Sequence, residues 1–420
     1  MSSHHKALLS RYDDVFLLEG VRTPFVEYNT ALGLVSPTDL GIKAAREVFR
    51  QSGVQPTDVD IVVAGNMAQA SFDAYVLPRH IGLYSGVPVE VPAHLVQRVC
   101  GTGVEAILQA ADNIKLAKAD LALVVGTESM SRNPIAAYTH RSGFHRGAVE
   151  FKDFLWEALL DPCPNETMGG TAENLAKKYA ITRTQVDQFA AESFARALAA
   201  QKGCFLSGEI APLASEVFEL AGYAPRGIRL PRGVEKLGED THIRPSSLEV
   251  LSKLKPAFGG VQTGGNSSGI VDGAAATLVA SGEYVKRHKR EPLARVVAGA
   301  VVGVRPEIMG IAPVPAIHAV LDSAGLSLAQ IERVEINEAF GAQVLACQRE
   351  LGLDRNKLNV NGGAIAIGHP LGATGVRLAI TLARELTRSK ARYGLASACI
   401  GGGQGIALLI ENTAAASVVN

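Results

Sequence analysis

The sequence of 420 residues has no excess of charge of either sign, because 41 Lys and Arg residues balance 41 Asp and Glu residues. Zero net charge removes the global attraction on which binding to nucleic acids and membrane surfaces depends, so we expect neither as a partner. Aromatic residues make up only 5% of the chain, whereas glycine occurs 43 times. This composition favours an α/β core with many tight turns over an all-β sandwich.

Cysteines in disulfide or metal-ligand spacing are also missing. There are five, far apart and outside any CxxC or Cys/His cluster: Cys100, Cys163, Cys204, Cys347 and Cys399. An odd number of dispersed cysteines indicates a reducing compartment, and we expect no bound metal. The apolar stretch at residues 296–304 is too short to cross a bilayer, and residues 1–14 lack the apolar segment of a signal peptide. We therefore expect a cytoplasmic protein.

An internal repeat of long period is present. When the sequence is aligned with itself at a constant offset in residue number, Gly53 aligns with Gly325. Around each glycine the sequence predicts a helix, a turn and a β-branched strand. The same ungapped shift places Ala70 on Ala342 and residues 102–104 on residues 374–376, and it continues to residues 123 and 395. Chance agreement of apolar residues is the alternative, but the element types agree throughout. Two similar βα-type halves are predicted.

The repeat predicts a division into three parts. The first half comprises residues 1–130 and is completed by residues 266–289, which we interpret as a returning helix and strand. The second half comprises residues 290–420. Residues 131–265 match neither half and combine two helical patterns with loops rich in Gly, Pro and Arg, which indicates an inserted subdomain.

Cys100 is the first candidate for chemistry. It precedes a glycine-rich turn and then a helical pattern with Val104, Ile107 and Leu108 on one face. A thiol at a helix N-terminus is close to the positive end of the dipole and to free N–H groups, which favour the thiolate nucleophile. The alternative is a structural cysteine buried beside a tight turn.

Three more candidates follow predicted strands of the second half. Cys399 precedes three glycines, whose N–H groups can surround a developing oxyanion, unless it is an incidental cysteine in a glycine-rich turn. The repeat places His369 in a turn equivalent to the one before Cys100, so the two turns would converge about a pseudo-twofold axis. The alternative is a histidine that bonds only to loop backbone. Asn337 can orient a water or a carbonyl, or it can simply cap a helix.

The order of these motifs resembles the thiolase family over nearly the full length. The chain has a Cys at a helix start, then Asn-Glu-Ala-Phe, "NVNGGAIAIGHPLGATG" and "LASACIGGGQG", and its insert contains the similar segment "TMGGTAENLAKKYAITRTQVDQFAAES". The resemblance implies two βαβαβαββ halves in a five-layered α-β-α-β-α core. It also implies that residues 131–265 form a loop domain that covers the active site and binds CoA.

The resemblance implies a catalytic role for each candidate. Cys100 matches the nucleophile that takes the acyl group as a thioester, and His369 matches the group that activates this thiol and helps to bind the thioester oxygen. Cys399 matches the acid/base that acts on the α-carbon of acetyl-CoA. Asn337 matches the residue that holds a water in a first oxyanion hole, and the N–H groups of Cys100 and Gly401 match a second.

The resemblance also implies residues that bind CoA. Arg244 matches the side chain that stacks on the adenine, Ser268 the hydroxyl near the pantetheine, and Met168 and Phe340 its apolar walls. Three positions depart from the family's usual pattern. Gln97 replaces the usual Asn, Thr102 replaces the commoner Ser, and Thr167 stands where biosynthetic members carry His, which puts a short-chain biosynthetic specificity in doubt.

The implied enzyme is an acyltransferase of fatty acid metabolism, including β-oxidation. It would condense acyl-CoA with acetyl-CoA, or cleave 3-oxoacyl-CoA with CoA, by a ping-pong route through acyl-Cys100. Its partners would be acyl-CoA, acetyl-CoA and CoA, with CoA as substrate or product, no other cofactor, and a homodimer or homotetramer as the assembly. A ketoacyl condensing synthase is one alternative, but it lacks the second catalytic cysteine. A non-catalytic acyl-CoA carrier or scaffold is another, but it has no need of all four reactive side chains.

Overall fold

The computed structural model describes residues 6–138, 141, 143, 146, 147 and 149–416. Its strands are β1 (Ala7–Arg11), β2 (Val15–Arg22), β3 (Val26–Glu27), β4 (Ile61–Gly65), β5 (Ala93–Val96), β6 (Leu121–Glu128), β7 (Ile135–Ala136), β8 (Lys152–Asp153), β9 (Leu160–Asp161), β10 (Glu166–Thr167), β11 (Leu213–Ala214), β12 (Glu216–Phe218), β13 (Arg226–Ile228), β14 (Lys236–Leu237), β15 (Val271–Ser281), β16 (Ala294–Gly303), β17 (Arg333–Ile336), β18 (Tyr393–Ile400) and β19 (Gln404–Glu411).

The α-helices are α1 (Pro37–Ser52), α2 (Leu77–Tyr84), α3 (Thr102–Lys115), α4 (Phe154–Ala158), α5 (Met168–Lys178), α6 (Arg183–Lys202), α7 (Leu248–Ser252), α8 (Gly282–Arg287), α9 (Pro313–Ala324), α10 (Gly341–Leu351), α11 (Ala364–Ile367), α12 (Leu371–Ser389) and α13 (Thr413–Ala416). Within the described ranges no helix is long and apolar enough to cross a membrane.

The central sheet consists of two matching halves. The order β4-β6-β15-β2 in one half corresponds to β17-β18-β19-β16 in the other, while β5 adds to the edge of the first half at β4 and β1 pairs with β16 in the second. Among the described strands, the two halves pair with each other only at β2 and β16, through two residue pairs. The shift that relates the halves reproduces the strand register, since Val62 pairs with Leu123 in the first half and Val334 pairs with Leu395 in the second. The predicted repeat is therefore confirmed in three dimensions.

Between β4 and α3 the two halves cannot be aligned without gaps. Ala342 lies near the start of α10, whereas Ala70 lies in a loop that precedes the shorter helix α2. The match of Ala70 with Ala342 is therefore wrong, because the two halves place different helices after equivalent strands. The shift holds again at the helix ends: Gly53 ends α1 with φ 64° and Gly325 ends α9 with φ 69°. Glycine adopts this left-handed conformation without steric cost.

Helices α3 and α12 form a layer between the two half-sheets. Both contact strands of either half, while α1 and α2 cover the outer face of the first half and α9 covers the second. The two central helices cross at Gly103 and Gly375, where a Cβ on Gly103 would lie 2.5 Å from the backbone nitrogen of Val376. A Cβ on Gly375 would similarly collide with the backbone nitrogen of Val104. Only glycine permits this approach, which completes the expected five layers.

The described residues of the segment 131–265 form helices and two-stranded ribbons outside the central sheet. The two helices expected there are α5 and α6, and Thr182 and Gln185 form a capping box at the start of α6. Residues 266–289 contain β15 followed by the short α8, so the predicted order of helix and then strand is wrong. The boundaries of the three parts stay a prediction.

Candidate active site

Cys100 lies in a 3₁₀ turn, Val99–Gly101, that leads directly into α3. Val99 has φ 43°, a left-handed conformation that is costly for a β-branched residue. The Thr102 hydroxyl supports this turn by donating to the Val99 carbonyl at 2.6 Å and accepting from the Arg98 N–H at 2.9 Å. The expected position at a helix N-terminus is confirmed.

Burial sets the protonation of Cys100. The side chain is only 6% exposed, and this burial raises the pKa of the thiol to about 11. The N–H groups of Gly401 and of Cys100 itself lower that pKa, but by less than burial raises it. The N–H groups thus favour the thiolate, as expected, but burial outweighs them and favours the neutral thiol in the free protein.

His369 precedes α12 and is buried. Its Nε2 lies 3.2 Å from Nδ2 of Asn337, and its Nδ1 lies 2.6 Å from the hydroxyl of Thr374. Burial, and next the positive charge of Arg377, lower the pKa of His369 to about 3. The imidazole is therefore neutral and can act as a proton acceptor.

Asn337 follows β17 and is fully buried. Its backbone N–H donates to the Ser397 carbonyl at 2.9 Å, which anchors it to the neighbouring strand. Its Oδ1 has no hydrogen-bond partner among the residues that the structure describes. An unpaired buried amide oxygen is unusual, and it can accept a hydrogen bond from a water or a ligand here.

The turns that carry Cys100 and His369 converge. Leu371, two residues after His369, packs in one apolar cluster with Cys100, Met67 and Met130. This arrangement confirms the expectation, drawn from the repeat, that the two turns meet between the halves.

Glu128 was not identified from the sequence, and its carboxylate stabilises the region where the turns of Cys100 and His369 converge. One carboxylate oxygen accepts from the N–H groups of Met67 and Gly372, both at 2.9 Å, and the other accepts from the Asn66 side chain at 2.9 Å. Burial raises the pKa of Glu128 to about 7, and these N–H donors favour its ionised form. The available signal was an acidic residue at the end of the otherwise apolar strand β6.

Cys399 lies at the end of β18 and is completely buried. It packs with Met168, Met309 and Phe340, and burial raises its pKa well above the ordinary value. Cys100 raises this pKa further. The hairpin after Cys399 brings the Gly401 N–H to the Cys100 sulfur. The segment that carries Cys399 thus also contributes a donor to Cys100.

A cavity of about 440 Å³ opens beside these residues. Side chains that pack near Cys100 form one wall, side chains that pack near Cys399 form the other, and Leu159 belongs to both clusters. The lining residues used below are Tyr28, Met130, Leu159, Met168, Ser268, Ile270, Phe340, His369 and Leu371. The cavity is mainly apolar and suits a flexible ligand with an apolar part.

Three of the four predicted CoA-binding residues, Met168, Ser268 and Phe340, line this cavity. Arg244 does not line it. Its side chain is 46% exposed, donates to Glu27 at 3.3 Å and lies over the ring of Phe194. Among the described residues no three His, Cys, Asp or Glu side chains cluster as metal ligands, so no metal site can be named there.

Comparison with known proteins covers almost the whole chain. A family model described as the N-terminal domain of thiolase matches residues 15–283, and one described as its C-terminal domain matches residues 290–412. The chain is 43% identical to human mitochondrial 3-ketoacyl-CoA thiolase over 95% of this chain and 98% of that protein. It is 40% identical to an acetyl-CoA acetyltransferase of Pseudomonas aeruginosa over 94% and 99%.

Solved structures agree with these matches. The crystal structure of human mitochondrial 3-ketoacyl-CoA thiolase superposes with a TM-score of 0.90 at 43% identity, covering 95% of this chain and 99% of that chain. The same human protein in complex with CoA gives a TM-score of 0.89 at 42% identity, covering 97% and 99%. These similarities confirm the fold that the sequence predicts.

Proposed function

The chain belongs to the thiolase family, and on that premise we propose that it cleaves 3-oxoacyl-CoA with CoA, and in reverse condenses acyl-CoA with acetyl-CoA. It is a catalytic thiolase and hence an acyltransferase. One observation carries the proposed mechanism: Cys100, with the Gly401 N–H at its sulfur, packs beside the turn of His369 at one apolar cavity. No feature of the site favours a non-catalytic carrier.

The first half-reaction of thiolysis forms the acyl-enzyme. His369 accepts the Cys100 proton at Nε2, and the thiolate attacks C3 of 3-oxoacyl-CoA. The N–H groups of Cys100 and Gly401 stabilise the resulting oxyanion. The C2–C3 bond then breaks, which leaves the acyl group on sulfur and releases the enolate of acetyl-CoA. His369 and a water on Asn337 bind the enolate oxygen, and Cys399 protonates the carbon.

The second half-reaction transfers the acyl group to CoA. The CoA thiol loses its proton to the enzyme and attacks the thioester carbonyl of acyl-Cys100. The tetrahedral intermediate collapses, the Cys100 sulfur leaves and a proton returns to it. CoA is thus a substrate and acetyl-CoA and the shortened acyl-CoA are products, and we propose that no other cofactor takes part.

The apolar cavity supports substrates longer than acetoacetyl-CoA. Each additional buried methylene contributes about 0.8 kcal/mol, or roughly a fourfold increase in kcat/KM. We expect thiolysis of a series of 3-oxoacyl-CoA esters to become more efficient with chain length until the cavity is filled. The assay follows loss of substrate absorbance with each ester in turn.

A substitution in the cavity wall tests whether the cavity sets the preferred chain length. Leu159→Phe should move the optimum to shorter chains, whereas Leu116→Phe, at a position that is 63% exposed, should leave the series unchanged. A steady fall in kcat/KM from acetoacetyl-CoA onward would contradict the proposed chain-length preference. Failure to cleave any ester, with CoA still bound, would instead support the carrier.

We propose that the active protein is a homodimer or homotetramer. Strand β5 is an edge of the sheet and pairs only with β4 among the described strands. Phe72 and Tyr75, in the segment before it, are 81% and 80% exposed. An unpaired strand edge with exposed aromatic side chains beside it is a surface that a partner chain can cover. Analytical ultracentrifugation of the native protein should give a mass that is a multiple of the chain mass. Tyr75→Asp should shift that mass towards the mass of the monomer. A native protein that sediments as a monomer would contradict the proposed homodimer or homotetramer.

The proposed compartment is the cytoplasm, on the basis of five free cysteines, which a reducing environment keeps unpaired. The human relative's name states the mitochondrion. Cell fractionation with an antibody against the protein decides between the two.

A further inference from the structure

Two threonines that are equivalent under the repeat occupy the first turns of the central helices. Thr102 in α3 and Thr374 in α12 are related by the same shift that places Gly53 on Gly325, and both are completely buried. Each is hydrogen-bonded to the turn just before its helix. One turn carries Cys100 and the other carries His369. A buried threonine hydroxyl therefore supports the turn of each proposed reacting side chain.

Thr374 lies where its hydroxyl can set which nitrogen of His369 holds the proton. The hydroxyl has a single hydrogen, and its oxygen lies 3.1 Å from the Pro370 carbonyl oxygen and 2.6 Å from Nδ1 of His369. When the hydroxyl donates to the carbonyl, which can only accept, its oxygen accepts from Nδ1–H of His369. Nε2 then carries the lone pair, which agrees with the Asn337 amide donating to it at 3.2 Å.

This tautomer is the one that the acylation step requires. When Nε2 takes the proton from the Cys100 thiol, the S–H bond breaks, a second ring N–H forms, and the positive imidazolium keeps its Nδ1–H bond to Thr374. With the other tautomer Nε2 already holds a hydrogen and cannot accept the thiol proton. Since burial keeps His369 neutral, its tautomer decides whether a base is present at all.

We propose that Thr374 is a positioning residue that holds His369 in the Nδ1–H tautomer, and that Thr102 is its counterpart for Cys100. Thr102 holds the left-handed Val99 turn through its bonds to the Val99 carbonyl and the Arg98 N–H. The inference rests on the proposed function, because it assigns Thr374 and Thr102 to the acylation step of that reaction.

The test compares Thr374→Val, which replaces the hydroxyl with a methyl group, and Thr374→Ser, which keeps the hydroxyl. Thr374→Val should slow single-turnover acylation of Cys100 by about 10- to 1000-fold with little change in KM, since related losses of an orienting bond to histidine have effects of this order. Thr374→Ser should stay within about threefold of the native rate, by the same reasoning. Native acylation by folded Thr374→Val would overturn the proposal.

Two further measurements separate positioning from folding. Nitrogen chemical shifts of His369 in the native protein should show Nδ1–H, and an Nε2–H tautomer would overturn the proposal even if Thr374→Val does not fold. Thr102→Val should slow acylation and leave the His369 tautomer unchanged. A purely structural role would lower the melting temperature without altering acylation per folded molecule, and that result also counts against the proposal. If the native enzyme shows no thiolysis, the proposed function fails, while the tautomer measurement still tests Thr374.

Discussion

Cys100→Ala should abolish the acyl-enzyme and reduce thiolysis by roughly 10⁴-fold or more, the loss expected when a covalent nucleophile is removed. Cys100 has the Gly401 N–H at its sulfur, a position suited to an oxyanion that forms on attack. Alanine keeps the backbone donors but removes the atom that forms the bond. Mass spectrometry after incubation with acyl-CoA should therefore show no added acyl mass.

Cys347→Ala is the matched control for this variant. Cys347, in α10, is also fully buried, but its thiol donates to the Gly310 carbonyl at 3.2 Å and lies outside the cavity. Its loss should lower stability without preventing acylation. Turnover by folded Cys100→Ala at the native rate would contradict the assignment of Cys100 as nucleophile.

Cys399→Ala should still form the acyl-enzyme but fail to condense it with acetyl-CoA. Removing a general acid or base usually costs about 10²- to 10⁴-fold, and here the cost falls on one half-reaction only. The physical reason is the position of Cys399, which is buried behind the cavity wall and packs against two lining side chains, Met168 and Phe340. Mass spectrometry should show the acyl-enzyme, and exchange of the α-hydrogens of acetyl-CoA with deuterium should be lost.

Two outcomes of the Cys399→Ala experiment would contradict the role proposed for Cys399. If Cys399→Ala exchanges the α-hydrogens at the native rate, another group is the base and the role given to Cys399 is wrong. If it cannot be acylated while remaining folded, the two cysteines do not divide the half-reactions. Cys347→Ala again provides the control for loss of a buried thiol.

Both reactive thiols are held in the neutral form at rest. Burial raises the pKa of Cys100 to about 11, raises the pKa of Cys399 well above its ordinary value, and lowers the pKa of His369. Alkylation of Cys100 in the free enzyme should accordingly increase with pH through the alkaline range, since the thiolate fraction keeps rising up to a pKa near 11. This pH dependence is the one expected if the nucleophile is generated by proton transfer to His369 during the reaction, as proposed, and is not stored as a thiolate.

Much of this molecule was predictable from the sequence. The constant shift between the two halves predicted the paired half-sheets, and Val62 and Val334 occupy equivalent places in them. Local pattern placed Cys100 at a helix start and Cys399 at the end of a strand, because turns, caps and periodicity depend on neighbouring residues. The prediction failed between β4 and α3, where loop length changes freely and leaves no pattern to align.

The sequence by itself determined the duplication, which is encoded in the repeat, and it predicted the candidate catalytic side chains through local pattern and the resemblance to the thiolase family. Only the tertiary structure decided how the side chains are charged and held. The neutral thiol, the hydrogen bonds of Glu128 and the unpaired Oδ1 of Asn337 all depend on burial and on donors from distant segments. Glu128 and Gly372 are 244 residues apart in the chain, and folding alone brings them within hydrogen-bond distance.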